Sequence, residues 1–207
     1  MSDGGYDEGY RKCPCFWGRE PSSLVLKLQS FLPNLQDLTV LDAGCGEGKN
    51  AAYFANNGAI VRALDISEIA IVRARESWDP IENVKWEVAD VRQLLLLPSS
   101  FDIVIAYGLL HCFSSTADIR NTVEKLKDAT KESGFNIICT FNDRHQELDA
   151  HPGFHPCLLP HSLFIDLYSD WNILVESDSD LREQHPHNNI EHTHSMTRII
   201  AQRKESR

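Results

Sequence analysis

The stretch Val40-Leu-Asp-Ala-Gly-Cys-Gly-Glu-Gly48 sets a G-x-G-x-G turn directly after a hydrophobic run and before an amphipathic segment that starts at Lys49. Three glycines in five positions let the backbone turn tightly and let a ligand approach the main chain where any Cβ would stand in the way. A hydrophobic run, a glycine turn and a helical segment in that order open a βαβ unit. Asp42 stands at the end of the first strand and Asp65 at the end of the next, so two acids flank the turn.

Downstream the alternation continues. Val40-Leu41, Ile60 to Leu64, Val84 to Ala89 and Phe101 to Tyr107 read as strands, with helices at Lys49 to Asn57 and Glu68 to Ser77 between them. A helix over Ala117 to Glu132 ends at Gly134, and Phe135 to Phe141 supplies a fifth strand. Residues 142 to 161, rich in His, Pro and Gly, read as a loop before a short helix at Ser162 to Tyr168. Trp171 to Glu176 and Met196 to Gln202 close the chain as an antiparallel hairpin at a sheet edge. Upstream, Leu24, Leu28, Phe31 and Leu32 recur at helical spacing between Pro21 and Pro33-Asn34, and the first twenty residues read as an arm. Right-handed crossovers then predict an α/β fold: a doubly wound, Rossmann-like, seven-stranded, mostly parallel sheet with an antiparallel final strand and helices on both faces. The expected organisation is an arm at 1–20 and one domain at 21–207.

Within 207 residues, 30 acidic against 20 basic side chains leave a formal net charge of -10. A surface this acidic repels polyphosphate, which argues against a nucleic-acid partner. No apolar run approaches the roughly 20 residues a bilayer requires, and Met1 to Glu8 lacks the basic-then-apolar order of a secretory signal. The six cysteines lie mostly in apolar runs rather than at framework spacings, and Cys13-Pro-Cys15 reads as two incidental thiols. The expectation is a cytoplasmic protein, monomer or homodimer, with a small-molecule acceptor and no membrane partner.

The glycine spacing differs from the dinucleotide fingerprint G-x-G-x-x-G, and Glu47 occupies the place where a pyrophosphate would sit. A carboxylate there, with Asp42 just before the turn, repels anions and suits a cationic ligand. The sulfonium and amino groups of S-adenosylmethionine fit that description. LDAGCGEGKN at 41–50, ALDIS at 63–67, VADV at 88–91 and FDIVIAYGLLHCF at 101–113 resemble, in order, the successive motifs of class I S-adenosylmethionine-dependent methyltransferases. The resemblance spans about residues 38 to 141. It implies that Gly44 and Gly46 contact the methionine part of the cofactor, Asp65 with its neighbour Ile66 the ribose, and Asp90 and Val91 the adenine, with Tyr107 as pocket floor.

A narrower resemblance rests on Phe16-Trp-Gly-Arg-Glu-Pro21, GCGEGKN and Thr197 to Arg203, which look like the tellurite-resistance protein B and thiopurine S-methyltransferase group. It implies that the arm covers the cofactor, with Trp17 facing the sulfonium as a cation–π partner and Arg19 pairing with the cofactor carboxylate. The chain departs from these relatives at Pro152 to Pro156 and Pro186 to His194, so their acceptor is not carried over.

His192 and His194 stand two apart, so on a strand they share one face, and His185 and His187 repeat the spacing. Such imidazoles bind a metal, hold an oxyanion when protonated, act as a base, or decorate an exposed hairpin. The reading places His192 and His194 on the acceptor side, away from the cofactor residues, and assigns no metal. His111, after the fourth strand, lies at the carboxyl edge of the sheet where ligands bind and is the leading candidate for acceptor contact or base. Phe141-Asn-Asp143 follows it as a candidate. Methyl transfer is an in-line displacement at carbon, and a soft nucleophile such as a thiol, selenol or reduced tellurium needs little help from a base. The expected function is methyl transfer to a small, soft acceptor; a small-molecule O- or N-methyltransferase and a non-catalytic S-adenosylmethionine-binding module stay open as alternatives.

Overall fold

The computed structural model describes residues 6–186 and 189–205. Helix α1 (Tyr6–Lys12) and helix α2 (Ser23–Leu28) precede the sheet. Then follow β1 (Thr39–Ala43), α3 (Lys49–Asn56), β2 (Ile60–Asp65), α4 (Glu68–Ser77), β3 (Val84–Val88) and β4 (Phe101–Tyr107). A 3-10 turn at Leu110–Cys112 leads into α5 (Thr116–Ala129), β5 (Thr130–Gln146), α6 (His161–Leu167), β6 (Asn172–Gln184) and β7 (Glu191–Gln202).

The strands form one seven-stranded sheet in the order β3-β2-β1-β4-β5-β7-β6. β1, β2, β3, β4 and β5 pair in parallel, whereas β7 runs antiparallel to both β5 and β6. Consecutive strands leave β1 in one direction and resume at β4 in the other, which makes the gap beyond the carboxyl ends of β1 and β4 a topological switch point.

Side-chain alternation explains the two layers. Val40, Ile103, Ile105 and Ile137 point to one face and pack with α2 and α3. Their neighbours Leu41, Val104, Ala106 and Ile138 point to the other and pack with α5 and α6. Each such fully buried Leu or Ile contributes on the order of 1.5–3 kcal/mol of transfer free energy. Helix α5 presents Ile119, Val123 and Leu126 to that second layer and starts at Ser115, whose side chain accepts from the Asp118 N–H. Ser67 caps α4 in the same way through the Ala70 N–H.

Several boundaries differ from the sequence reading. Helix α2 stops at Leu28 because Gln29, Ser30 and Phe31 bond to carbonyls three residues back, a tighter turn that the approach to Pro33 favours. Part of the expected arm forms α1, with Asp7 and Glu8 in its first turn and Arg11 and Lys12 in its last, as the helix dipole prefers. Tyr10 of α1 and Phe16 are buried with Ala70 of α4. The expected loop after Phe141 begins late, since β5 runs on to Gln146, and the closing hairpin is much longer than read. Among the described residues, no helix is long and apolar enough to cross a membrane.

Candidate active site

The glycine turn between β1 and α3 needs its glycines for space as well as conformation. Gly44 has φ +72°, and a Cβ there would lie 2.9 Å from the Leu109 side chain. Gly48 has φ +82°, and its Cβ would meet the Trp86 ring at 2.4 Å. Asp65, at the end of β2, fixes the turn from the side: one carboxylate oxygen accepts from the Gly46 N–H at 2.8 Å and the other from the Ser67 N–H at 2.9 Å. Burial nevertheless raises its pKa, with those two bonds opposing.

A cavity of about 640 Å³ opens above the switch point. Gly44, Gly46, Asp65 and Ile66 line one side of it. Asp90, Val91 and Tyr107 line the rest of the cofactor half as read from sequence, and His111 borders it as well. Asp90 is held by Arg92, whose guanidinium lies 2.9 Å away and whose N–H also donates to it. Burial pushes the Asp90 carboxyl up, but the Arg92 bonds and charge outweigh this and leave it below its ordinary value. Burial raises the Tyr107 phenol.

Asp42 is set apart from these residues. It is 1% exposed, neither oxygen makes a well-formed hydrogen bond among the described residues, and it does not line the cavity. Burial and the nearby Asp65 charge push its pKa to about 7, opposed by the Ala51 N–H at the start of α3. It lies beneath the glycine turn as a buried, titratable floor.

The arm is anchored by a residue whose sequence reading concerned only charge. Glu47 accepts from the Cys15 N–H at 2.8 Å and the Phe16 N–H at 2.5 Å, one bond on each oxygen. The carboxylate that excludes an anion from the turn thus ties residues 15 and 16 across it. Trp17 lines the cavity and donates its indole N–H to the Tyr10 hydroxyl at 3.2 Å, while Lys49 donates to the Trp17 carbonyl at 2.9 Å. Arg19 also lines the cavity, but its guanidinium lies 4.4 Å over the Trp78 ring and donates to the Ser77 carbonyl at 2.9 Å.

His111 is buried, stacked on Phe141 with ring centroids 3.9 Å apart. Its Nδ1 accepts from the Phe141 N–H at 3.2 Å and faces the Thr140 hydroxyl at the same distance. An accepting Nδ1 places the proton on Nε2, which is buried and has no partner among the described residues. Burial and the neighbouring His194 and His151 lower the His111 pKa to about 3. Of the two roles read from sequence, this wiring suits a neutral hydrogen-bond donor and opposes a base.

His192 and His194 are fully buried, so the exposed-hairpin alternative does not describe them. Register explains their neighbours: β6–β7 pairing sets Glu183 opposite His192, and β5–β7 pairing sets Gln146 opposite His194. His151, from the loop after β5, enters the same space, with its Nε2 3.2 Å from the Nε2 atoms of His185, His192 and His194. Burial and the surrounding imidazoles lower the His194 pKa to about 3. The group also meets the cofactor half: Glu183 lines the cavity, and His185 stacks on Phe16 and sits edge-on to Trp17. His192 and His194 themselves do not line the cavity; the cluster adjoins its cofactor half through Glu183 and His185. His187 lies outside the described residues. Asn142 and Asp143 do not join the cavity; Asn142 donates to Asp178 instead.

Residues 40–134 match the family model described as Methyltransferase domain. That segment is thus similar to a methyltransferase domain, and the chain as a whole has the fold seen in S-adenosylmethionine-dependent methyltransferases. Among curated proteins, a putative methyltransferase from Geobacillus sp. (strain WCH70) is 26% identical over 165 residues, covering 70% of this chain and 64% of the relative. The probable S-adenosyl-L-methionine-dependent methyltransferase TehB of Haemophilus influenzae is 24% identical over 153 residues, covering 70% of this chain and 50% of TehB. The chain thus spans under two thirds of the length of both curated relatives. The TehB crystal structure superposes with a TM-score of 0.70 at 18% identity, over 87% of this chain and 61% of that one. A structure described as the conversion of a disulfide bond into a thioacetal group during echinomycin biosynthesis aligns at TM-score 0.72 and 25% identity, over 98% of this chain and 93% of the other.

Proposed function

We propose that the protein moves the methyl group of S-adenosylmethionine to a small, soft acceptor such as a thiol or a reduced selenium or tellurium species. The observation that carries this reading is the single cavity at the switch point, into which residues of all four methyltransferase motifs converge. In that cavity Gly44 and Gly46 take the methionine part, Asp65 and Ile66 the ribose, and Asp90 and Val91 the adenine. The arm closes over them, with Trp17 facing the sulfonium and Arg19 available to the carboxylate.

The acceptor's lone pair attacks the methyl carbon in line with the departing sulfur, which keeps the bonding electrons and leaves as S-adenosylhomocysteine. Because His111 has Nδ1 engaged by the Phe141 N–H, it positions the acceptor as a donor and takes no proton from it. That favours a nucleophile already deprotonated near neutral pH, for which orientation and exclusion of water supply the rate. The sulfur chemistry in the description of the echinomycin-pathway relative supports the same class. The test incubates the protein with S-adenosylmethionine and separate panels of thiols, selenite, tellurite, phenols and amines, and quantifies S-adenosylhomocysteine. Turnover with a thiol or a selenium or tellurium species is the expected result; turnover confined to phenols or amines overturns it.

A further inference from the structure

We propose that His151, Glu183, His192 and His194, with His185 packed against them, bind a divalent transition metal of the zinc class at the wall of the cofactor cavity. One donor atom from each of the first four lies within 4.8 Å of all the others. His151 Nε2 is 3.2 Å from three other imidazole Nε2 atoms, and the Glu183 carboxylate is 3.6 Å from His192 Nε2, 3.8 Å from His194 and 3.9 Å from His185. Donors bonded to one ion at ~2.0–2.1 Å stand roughly 3.3 Å apart in a tetrahedron and about 4 Å apart when opposite, so the 3.2–3.9 Å spans match a shared ion and the widest, at 4.8 Å, requires the donors to draw in by under 1 Å.

Proton positions point the same way. The Gln146 side-chain NH₂ donates to the Asn142 and Ser195 carbonyls at 2.8 and 2.9 Å, which turns its oxygen toward His194 Nδ1 at 2.7 Å. That nitrogen must then carry the proton, leaving the His194 Nε2 lone pair aimed into the cluster. His192 Nδ1 faces the Ile190 carbonyl at 2.8 Å, a group that only accepts, so its Nε2 is also a lone pair. One imidazole nitrogen holds either one proton or one lone pair in its plane, so His151 Nε2 satisfies at most one of its three neighbours by hydrogen bonding. A cation satisfies them together. Imidazoles whose far nitrogen donates to an amide oxygen or a main-chain carbonyl are the ordinary surroundings of a metal ligand. Three or four imidazoles with one carboxylate select a borderline divalent ion over calcium or magnesium.

The donors come from β6 (Glu183), from β7 (His192, His194) and from the loop after β5 (His151). An ion therefore pins the far ends of the sheet to the arm, through His185 against Phe16 and Trp17. This proposal needs neither acceptor nor cofactor, so its failure is distinct from failure of the methyl-transfer reading.

The test strips the full chain with a chelator and titrates it with Zn²⁺ against a chromophoric competitor, then repeats the titration with Co²⁺ in the visible range. Expected are about one ion per chain, micromolar affinity or tighter, and the strong d–d bands of a four- or five-coordinate Co²⁺ site. His192→Ala/His194→Ala should weaken binding at least a hundredfold, while His155→Ala, at an exposed histidine outside the cluster, binds as the parent does. Gln146→Leu, which keeps every metal-ligating atom and removes the amide that orients His194, should weaken affinity by about 10–100-fold. Should the double variant not fold, the parent protein decides: melting temperature rises with Zn²⁺ and returns with chelator. Absence of stoichiometric binding, or binding that survives the folded double variant, overturns the proposal.

Discussion

Replacing Asp42 by Asn should stabilise the protein, and increasingly so as pH rises. Asp42 is buried under the glycine turn with a folded-state pKa near 7 against an ordinary value of 3.8. Because the folded pKa is the higher one, folding favours the protonated acid. The stability linked to it is fully present below pH 4 and is lost as pH rises through 7. At 1.36 kcal/mol per pKa unit the whole effect is ~4 kcal/mol, of which about 3 kcal/mol falls between pH 5 and pH 8. Asn has nearly the shape of protonated Asp and does not titrate. Urea denaturation of the ligand-free protein should find Asp42→Asn the more stable by about 1.5 kcal/mol at pH 5 and by about 4 kcal/mol at pH 8, a gap that widens by roughly 2–3 kcal/mol between the two. A cationic cofactor near the turn should shrink that gap by favouring the ionised acid. If the difference between the two proteins is the same at both pH values, Asp42 does not titrate in the folded state and the account of the turn's floor is wrong.

Two further outcomes concern the cavity. Glu47→Ala removes two charge-assisted bonds to the arm, worth ~1.5 kcal/mol each. Amide exchange at Cys15 and Phe16 should accelerate about a hundredfold while that of β4 is unchanged; equal rates at residues 15 and 16 would mean the arm is held by its aromatic packing alone. Asp65→Ala should weaken S-adenosylhomocysteine binding at least tenfold by calorimetry, and affinity within twofold of the parent would remove Asp65 from the ribose site.

The parts of this fold that were legible in the sequence are those whose physics is local. β1 and β4 are buried on both faces, so they appear as runs such as Ile103 to Ala106 that no exposed segment would carry. The glycine turn and the acids at neighbouring strand ends are legible because strand, turn and ligand site are contiguous. Glu47 is not legible as a clamp because its partners are main-chain N–H groups, which leave no trace in residue type. Helix α1 escapes because its seven residues are stable only against α4 and Phe16, a tertiary effect that overrides weak intrinsic preference.

The histidine cluster marks the sharpest limit, and register is the reason. The two-residue spacing of His192 and His194 already places both on one face of β7, and that much the sequence carries. Which residues join them depends on how far β5 and β6 extend, and both strands outrun their hydrophobic cores. Beyond Phe141 and Val175 the side chains are largely polar, so sequence periodicity loses them, while backbone pairing with β7 carries on to Gln146 and Gln184. Those extensions set Glu183 beside His192 and Gln146 beside His194. A one-residue slip of β6 against β7 would turn Glu183 to the opposite face, and the same slip of β5 would take Gln146 from His194 Nδ1. The chemistry of the site is thus written in the pairing of three polar strand ends. Polar strand ends that hold their register above a sheet's core need something to fix them there, and the converging imidazoles of His151, His192 and His194 are where these strands are joined.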